Sequence, residues 1–395
     1  MEEQKESKAM ANSFLDFISR GLHQIQRTFF PDLEHEAGPI PKTLIKLSYI
    51  LQTICCQEIP LPEQCWTGRP PKSRRAILNA FIAKAFLGMP TTKHLIERLQ
   101  SDNHLRLLCG FEFRRDIPSE SVFSRTFATF AQTTLPERIH EQLIKSVYAE
   151  EMTLHICRDS TAVASREKPL KKPKTAVMTG EPIIKKRRGP RRKGEARPIK
   201  EPSRVEKQLK MTLAEMLNEL PKSCDRGGKL NSKGFGESWD GYKLHVDTAD
   251  RGIPVSLILT SASVHDSQVA IPLATMTAQR VQNFYDIMDS AYYLKEIEDH
   301  SRWLNHIPLI DINPRRNSEL KDALESEHKA RKTLHWKPAE AIRYEERSGS
   351  ERTNARLKDE FGINTLRVRG HAKAFCHLMF GALVVTADQL IRLVT

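Results

Sequence analysis

Apolar positions recur at helical spacing through the first third of the chain. Phe14, Ile18, Leu22, Ile25 and Phe29 fall on one stripe, and Leu44, Leu47, Ile50, Leu51 and Ile54 on another. A turn at Gly68-Arg69-Pro70-Pro71 follows. Ser73 is then placed to cap a helix carrying Ile77, Leu78, Phe81, Ile82, Ala85 and Phe86, which ends near Gly88-Met89-Pro90. Shorter helical segments run from Leu95 to Leu99, Leu105 to Cys109 and Val122 to Phe130, the last behind the start signal Pro118-Ser119-Glu120-Ser121. Beyond residue 150 the pattern changes to short β-type runs: Leu154 to Cys157 before Asp159, Tyr242 to Val246 before Asp247, Ile253 to Leu259, Phe284 to Met288 before Asp289, and Ile307 to Ile310. Helices over Ser267 to Thr277, over Tyr293 to Trp303, and from Pro338 to just before Gly362 fill the later gaps. The pattern predicts a helical N-terminal extension (1–65), a helical domain (66–150) and an α/β domain (151–395).

Charge changes this picture in one place. The chain has a formal net charge of +13, and the segment Arg166 to Lys210 alone holds 17 Lys or Arg against 5 Glu. This basic insertion (166–210) includes Lys185-Lys186-Arg187-Arg188 and Arg191-Arg192-Lys193. Such density suits phosphate binding through counterion release, and a solvated linker explains it equally well. The 7 cysteines form no CxxC pair and nothing at the start resembles a signal peptide, which points to a reducing, cytoplasmic setting. The apolar stretch Ala374 to Val394 carries His377, Asp388, Gln389 and Arg392, costly at a bilayer centre, so it reads as a buried helix without a membrane partner. Trp66, Trp239, Trp303 and Trp336 read as packing residues.

Asp159 and Asp289 each follow an apolar run, where a strand leaves its last side chain at the sheet edge and open α/β sheets bind ligands. Either one alone is equally explained as a turn residue. On the last predicted helix, at ~100° per residue, Tyr344, Arg347, Glu351 and Lys358 share a stripe of about 60°, with Ile342, Thr353 and Leu357 roughly opposite for packing. A solvated face with an Arg347–Glu351 pair would show the same spacing.

Tyr344-x2-Arg347-x3-Glu351-x6-Lys358, within YEERSGSERTNARLK, resembles the YREK signature of the DDE transposases of bacterial insertion sequences, groups four and five. Other landmarks fall in order. RDSTAV resembles the family's first-aspartate strand, SWDGYKLHVDTADRGIPVSLILTSASVHDS its second and third strands with a His-Asp pair, DIMDSAYYLKEI its second-aspartate segment, and IPLIDINPRRN the strand and basic turn after it. The helical segment before residue 150 is similar to the family's N-terminal domain. The resemblance spans roughly residues 66 to 390; the long basic insertion departs from it, and residues before about 60 match no feature of it.

The resemblance implies an α/β fold of the ribonuclease H type, a mixed sheet flanked by helices, behind an all-helical DNA-binding domain. It implies that Asp159, Asp289 and Glu351 are the catalytic acids and hold two Mg²⁺ ions, with Mn²⁺ able to substitute. Tyr344, Arg347 and Lys358 are then assigned to DNA; His265 and Asp266 lie near the site or cap a helix. The implied partners are double-stranded DNA, as element terminal inverted repeats and as target, and a second copy of the chain in a homodimeric DNA complex at the nucleoid. A catalytically silent DNA-binding relative, acting as a regulator, is the alternative.

Overall fold

The computed structural model describes residues 15–55, 72–149, 151–169, 202–230, 234–315, 317–362, 364 and 366–395. The turn before Ser73, Trp66 and the Lys/Arg clusters between residues 185 and 193 lie outside them.

Six strands form one mixed sheet: β1 (Met152–Ala164), β2 (Asp225–Leu230), β3 (Gly236–Ala249), β4 (Ile253–Ser261), β5 (Gln282–Met288) and β6 (Ile307–Ile310). The first half of β3 pairs with β2, and its second half lies antiparallel between β4 and β1. Parallel pairing then carries the sheet from β1 to β5 and on to β6. Every residue of β4 is buried, although among the described strands it pairs only with β3, because helices cover both faces. Ile258 packs with Val269 and Leu273 of the helix Ser267–Ala278, while Val255, Leu257 and Leu259 join the core on the other side.

Two expectations change here. β1 does not stop before Asp159 but runs five residues further to Ala164, because the β-branched Thr161 and Val163 continue the ladder against β3. Asp159 is therefore a mid-strand residue. β2, in DRGGKL, shows too little apolar alternation to be read as a strand. Gly227 is required there, since a Cβ would lie 2.6 Å from the Ala262 carbonyl oxygen and 2.7 Å from the Trp239 ring.

The helices before residue 150 pack on the same core as the sheet. The C-terminal helix His371–Val394 runs between them, its Phe380 ring 5.6 Å from Phe81 of the helix Arg74–Phe86. Ser73 caps that helix as expected, its hydroxyl accepting from the Ala76 amide. The C-terminal helix is long and apolar enough to cross a membrane, but 83% of that stretch is buried inside the fold. Its Asp388, 1% exposed, pairs with Lys46 at 2.6 Å, Arg356 at 2.5 Å and Arg392 at 3.0 Å, which joins the helix Lys42–Cys55 to the helix Ser348–Asp359. At the other end of the helical region, Ile18 and Leu22 are buried as their spacing predicts. Phe29 is 40% exposed, because a π-helical turn at Ile25–Phe29 shifts the phase of the stripe.

The centre of the sheet is tied by one buried ion pair. Arg158 Nε and Nη2 each donate to Asp247 at 2.8 Å, Thr277 donates to the same carboxylate at 2.7 Å, and Arg158 and Asp247 are 2% and 0% exposed. Arg158→Met leaves a buried carboxylate without its cation and is expected to cost about 3–5 kcal/mol in urea unfolding, while adding Asp247→Leu recovers most of the loss. Equal instability of the single and double variants would show that the pair is not what the sheet depends on.

Candidate active site

Side chains alternate across a strand, so Arg158 on one face of β1 places Asp159 on the other. Asn354 of the helix Ser348–Asp359 donates to Asp159 at 3.0 Å. Asp289 is the first residue beyond β5, whose last residue Met288 is in register with Arg158 of the adjacent parallel strand. Its carboxylate is fixed by accepting the Ala291 amide at 3.0 Å.

Burial pushes the Asp159 carboxyl up to about 6, and Asp289 adds to the effect; the Ser160 amide, Arg347 and Asn354 oppose it. The Asp289 carboxyl is also raised, by burial first and then by Asp266 and Asp311. Arg347 faces both aspartates. Burial works against its charge, but Tyr344, Glu351, Asp159 and Asp289 together hold its pKa above the ordinary value. Lys358 lies within electrostatic reach of Asp159 and is half-buried; burial and Lys229 lower its pKa.

Glu351 stands apart from this pair. It is on the helix face toward the site, but its side chain is 55% exposed and accepts Arg347 Nη2 at 2.6 Å. Among the described residues no group of three or more His, Cys, Asp and Glu is placed to hold a metal ion. The two aspartates do fit one. They are hard oxygen donors, half-buried and with raised pKa values, and Tyr292 Oη lies buried without a hydrogen-bond partner in the field of Asp159, Asp266 and Asp289. For Glu351 to join them, its carboxylate must leave Arg347.

The helix expected from Pro338 is three pieces: Ala339–Tyr344, a 3-10 turn Glu345–Arg347, and Ser348–Asp359. Ser348-Gly349-Ser350 is a weak helix former, and Ser350 Oγ donates back to the Arg347 carbonyl at 2.8 Å. Three residues wound at about 120° instead of about 100° turn Tyr344 by about 60° relative to Glu351. The Tyr344 hydroxyl instead donates to Asp311 at 2.7 Å. Thr353 and Leu357 are buried as expected; Ile342 is 55% exposed because it precedes the turn. Trp303 and Trp336 are 74% and 57% exposed and are not packing residues.

Asp266 does not cap the following helix; it accepts Lys243 Nζ at 3.1 Å. Its carboxyl stays below the usual range despite burial because His245 and Lys243 face it. His245, fully buried and held down at about 4, is neutral, which leaves Lys243 as the charge. His265 Nδ1 is 2.8 Å from the Ser267 hydroxyl at the helix start. Asn354, Asp311 and Tyr292 were missed in the sequence. Asn354 lies three residues after Glu351, hence on its side of the helix, and that spacing is the one signal available for it.

Residues 219–387 match the family model described as Transposase DDE domain, and residues 44–129 that described as Transposase domain (DUF772). The chain carries transposase domains. Together they indicate a DNA transposase of the insertion-sequence kind, and DDE domains generally work with divalent metal ions. The DDE match includes Asp289 and Glu351, whereas Asp159 lies before it. No curated protein and no solved structure matches the chain.

The raised Asp159 carboxyl has a defined consequence for the metal-free protein. A carboxyl whose folded pKa exceeds its unfolded value stabilises the fold fully below the unfolded pKa of 3.8, and that contribution is lost as pH rises through about 6. Asp159→Asn is therefore expected to be more stable than wild type at pH 8 in EDTA, by up to about 3 kcal/mol, with the gap closing toward pH 4. Thermal melts across that range check it; a gap independent of pH would place the strain elsewhere.

Proposed function

We propose that this chain cuts and rejoins DNA at the ends of an insertion sequence of groups four and five, using Asp159, Asp289 and Glu351 as its catalytic acids. One observation carries the reading. Two half-buried aspartates from neighbouring parallel strands have raised pKa values, and Arg347 faces both. Like charges held close and partly out of water favour a divalent cation between them. The strand arrangement β4-β3-β1-β5-β6, antiparallel on one side of β1 and parallel on the other, supports a ribonuclease H-type scaffold.

Asp159 and Asp289 would hold Mg²⁺ or Mn²⁺, with Glu351 joining once its carboxylate leaves Arg347. Bound divalent ions would lower the pKa of the attacking hydroxyl and stabilise the leaving oxygen. Arg347, released from Glu351, then offers its guanidinium to a phosphate at the aspartates; Lys358 adds a second cation, and Tyr344 adds a hydroxyl once it leaves Asp311. In cleavage, water attacks phosphorus and the 3′ oxygen leaves. In joining, that 3′-hydroxyl loses its proton and attacks a target phosphodiester, whose own 3′ oxygen leaves. Handling two ends calls for two copies of the chain in the DNA complex, with the work done in the cytoplasm at the nucleoid. The exposed Glu351, paired with Arg347, is what a silent DNA-binding regulator would also show.

Strand cleavage of a labelled duplex carrying the element ends separates the two readings. Wild type is expected to cut with Mg²⁺ and not with EDTA, and Glu351→Gln to bind the ends as tightly while cutting at least a hundredfold more slowly, on the order of the loss of a group acting in the transition state. Binding by both proteins with no cleavage under Mg²⁺ or Mn²⁺ would favour the regulator.

A further inference from the structure

A second cationic site lies where the helical N-terminal region meets the C-terminal helix. Between the helices Arg74–Phe86, Glu120–Gln132 and His371–Val394 there is an open cavity of about 510 Å³. Its floor is aromatic: Phe81 lies 5.1 Å from Phe127 and 5.6 Å from Phe380, ring centre to ring centre. Its walls are basic, with Lys84, Arg367, Arg369 and Lys373 against a single acid, the exposed Glu120.

Lys84 is the telling residue. It is 8% exposed and lines the cavity, and among the described residues its ammonium makes no ion pair and no hydrogen bond. Arg367, Arg369 and Lys373 are likewise without such partners, whereas Lys46, Lys145, Lys243, Lys337 and Arg356 each pair with a carboxylate. A buried ammonium normally has a counter-charge. Burial and the neighbouring Arg367 hold the Lys84 pKa down to about 8, the direction expected when that counter-charge is missing. Thr92, the first residue of the ten-residue helix Thr92–Ser101, also lines the cavity, and no acid occupies that helix's first turn. Thr91 caps the His94 amide, and the remaining amides of that first turn add positive potential at the cavity.

We propose that this cavity is a phosphate-binding site, with the Lys84 ammonium as its buried anchor and Arg367, Arg369 and Lys373 as its rim. The ligand is a phosphate group, carried by a DNA backbone or by a small molecule. An apolar floor beneath a cationic rim suits a phosphate attached to a larger body better than a bare ion. The site involves neither Asp159 nor Asp289, so it holds whether or not the chain cuts DNA.

The test compares the full-length wild type with Lys84→Met, which keeps the apolar stem, and Arg367→Gln, an exposed position where the fold is not at stake. Thermal melts are run in inorganic phosphate and in NaCl of equal ionic strength, and duplex binding is measured as a function of salt. Phosphate is expected to raise the wild-type melting temperature by about 2–4 °C over NaCl and to do so in neither variant. Without phosphate, Lys84→Met should melt no lower than wild type, since it removes an unpaired buried charge.

If the phosphate belongs to DNA, each variant binds duplex about tenfold more weakly and loses about one unit of salt slope. Unchanged duplex binding, with phosphate protection lost, assigns the site to a phosphate-bearing small molecule. Phosphate shifts equal in all three proteins, or absent from wild type, together with unchanged duplex binding, would overturn the proposal.

Discussion

A guanidinium and a carboxylate shut away from water hold together only when each satisfies the other, and Arg158 and Asp247 do so through two parallel hydrogen bonds. This pair links β1 to β3, and Thr277 of the overlying helix is bonded to the same carboxylate. Arg158 Nη1 reaches Met288 at the end of β5. The last residue before Asp289 is thereby tied to the residue before Asp159. The period of two in a strand does the rest. With Arg158 locked on one face, Asp159 is fixed on the other, so a structural ion pair sets the aim of a chemical one.

Much of this was legible because strands and helices announce themselves through apolar period. The five runs expected as strands all lie in strands, and the aspartates flanking them fall on the same part of the sheet. What stayed hidden has a physical reason in each case. β2 depends on partners rather than on its own residues: Gly227 fits beside Trp239 and Ala262, and no local pattern records that fit. The break at Glu345–Arg347 arises from a serine hydroxyl competing with the helix ladder, an effect that a fixed angle per residue ignores. Asn354 was passed over because a polar residue on a polar stripe carries no marker until its partner is known.

The charges at the site follow one logic. Asp159 and Asp289 are brought close by adjacent strands, and Arg347 is the cation that opposes the shift of both. Arg347 also holds Glu351. The arginine thus serves as the internal counter-ion of all three carboxylates. A divalent cation would take over that role and free the guanidinium for a DNA phosphate.

The helix bearing Glu351 and Asn354 is itself held from the far side. Arg356, on the same helix, reaches Asp388, and Asp388 also binds Lys46 in the N-terminal helices. The buried carboxylate draws both cations to one point, with Arg392 as the third. Any shift of the N-terminal helices that moves Lys46 therefore changes the balance of charge on Arg356, two residues from Asn354, which donates to Asp159. Such a route is carried by ion pairs in a buried setting, where screening is weak and geometry decides the energy. It gives the helical region, where the second transposase match lies, a physical connection to the carboxylates that requires no movement of the sheet.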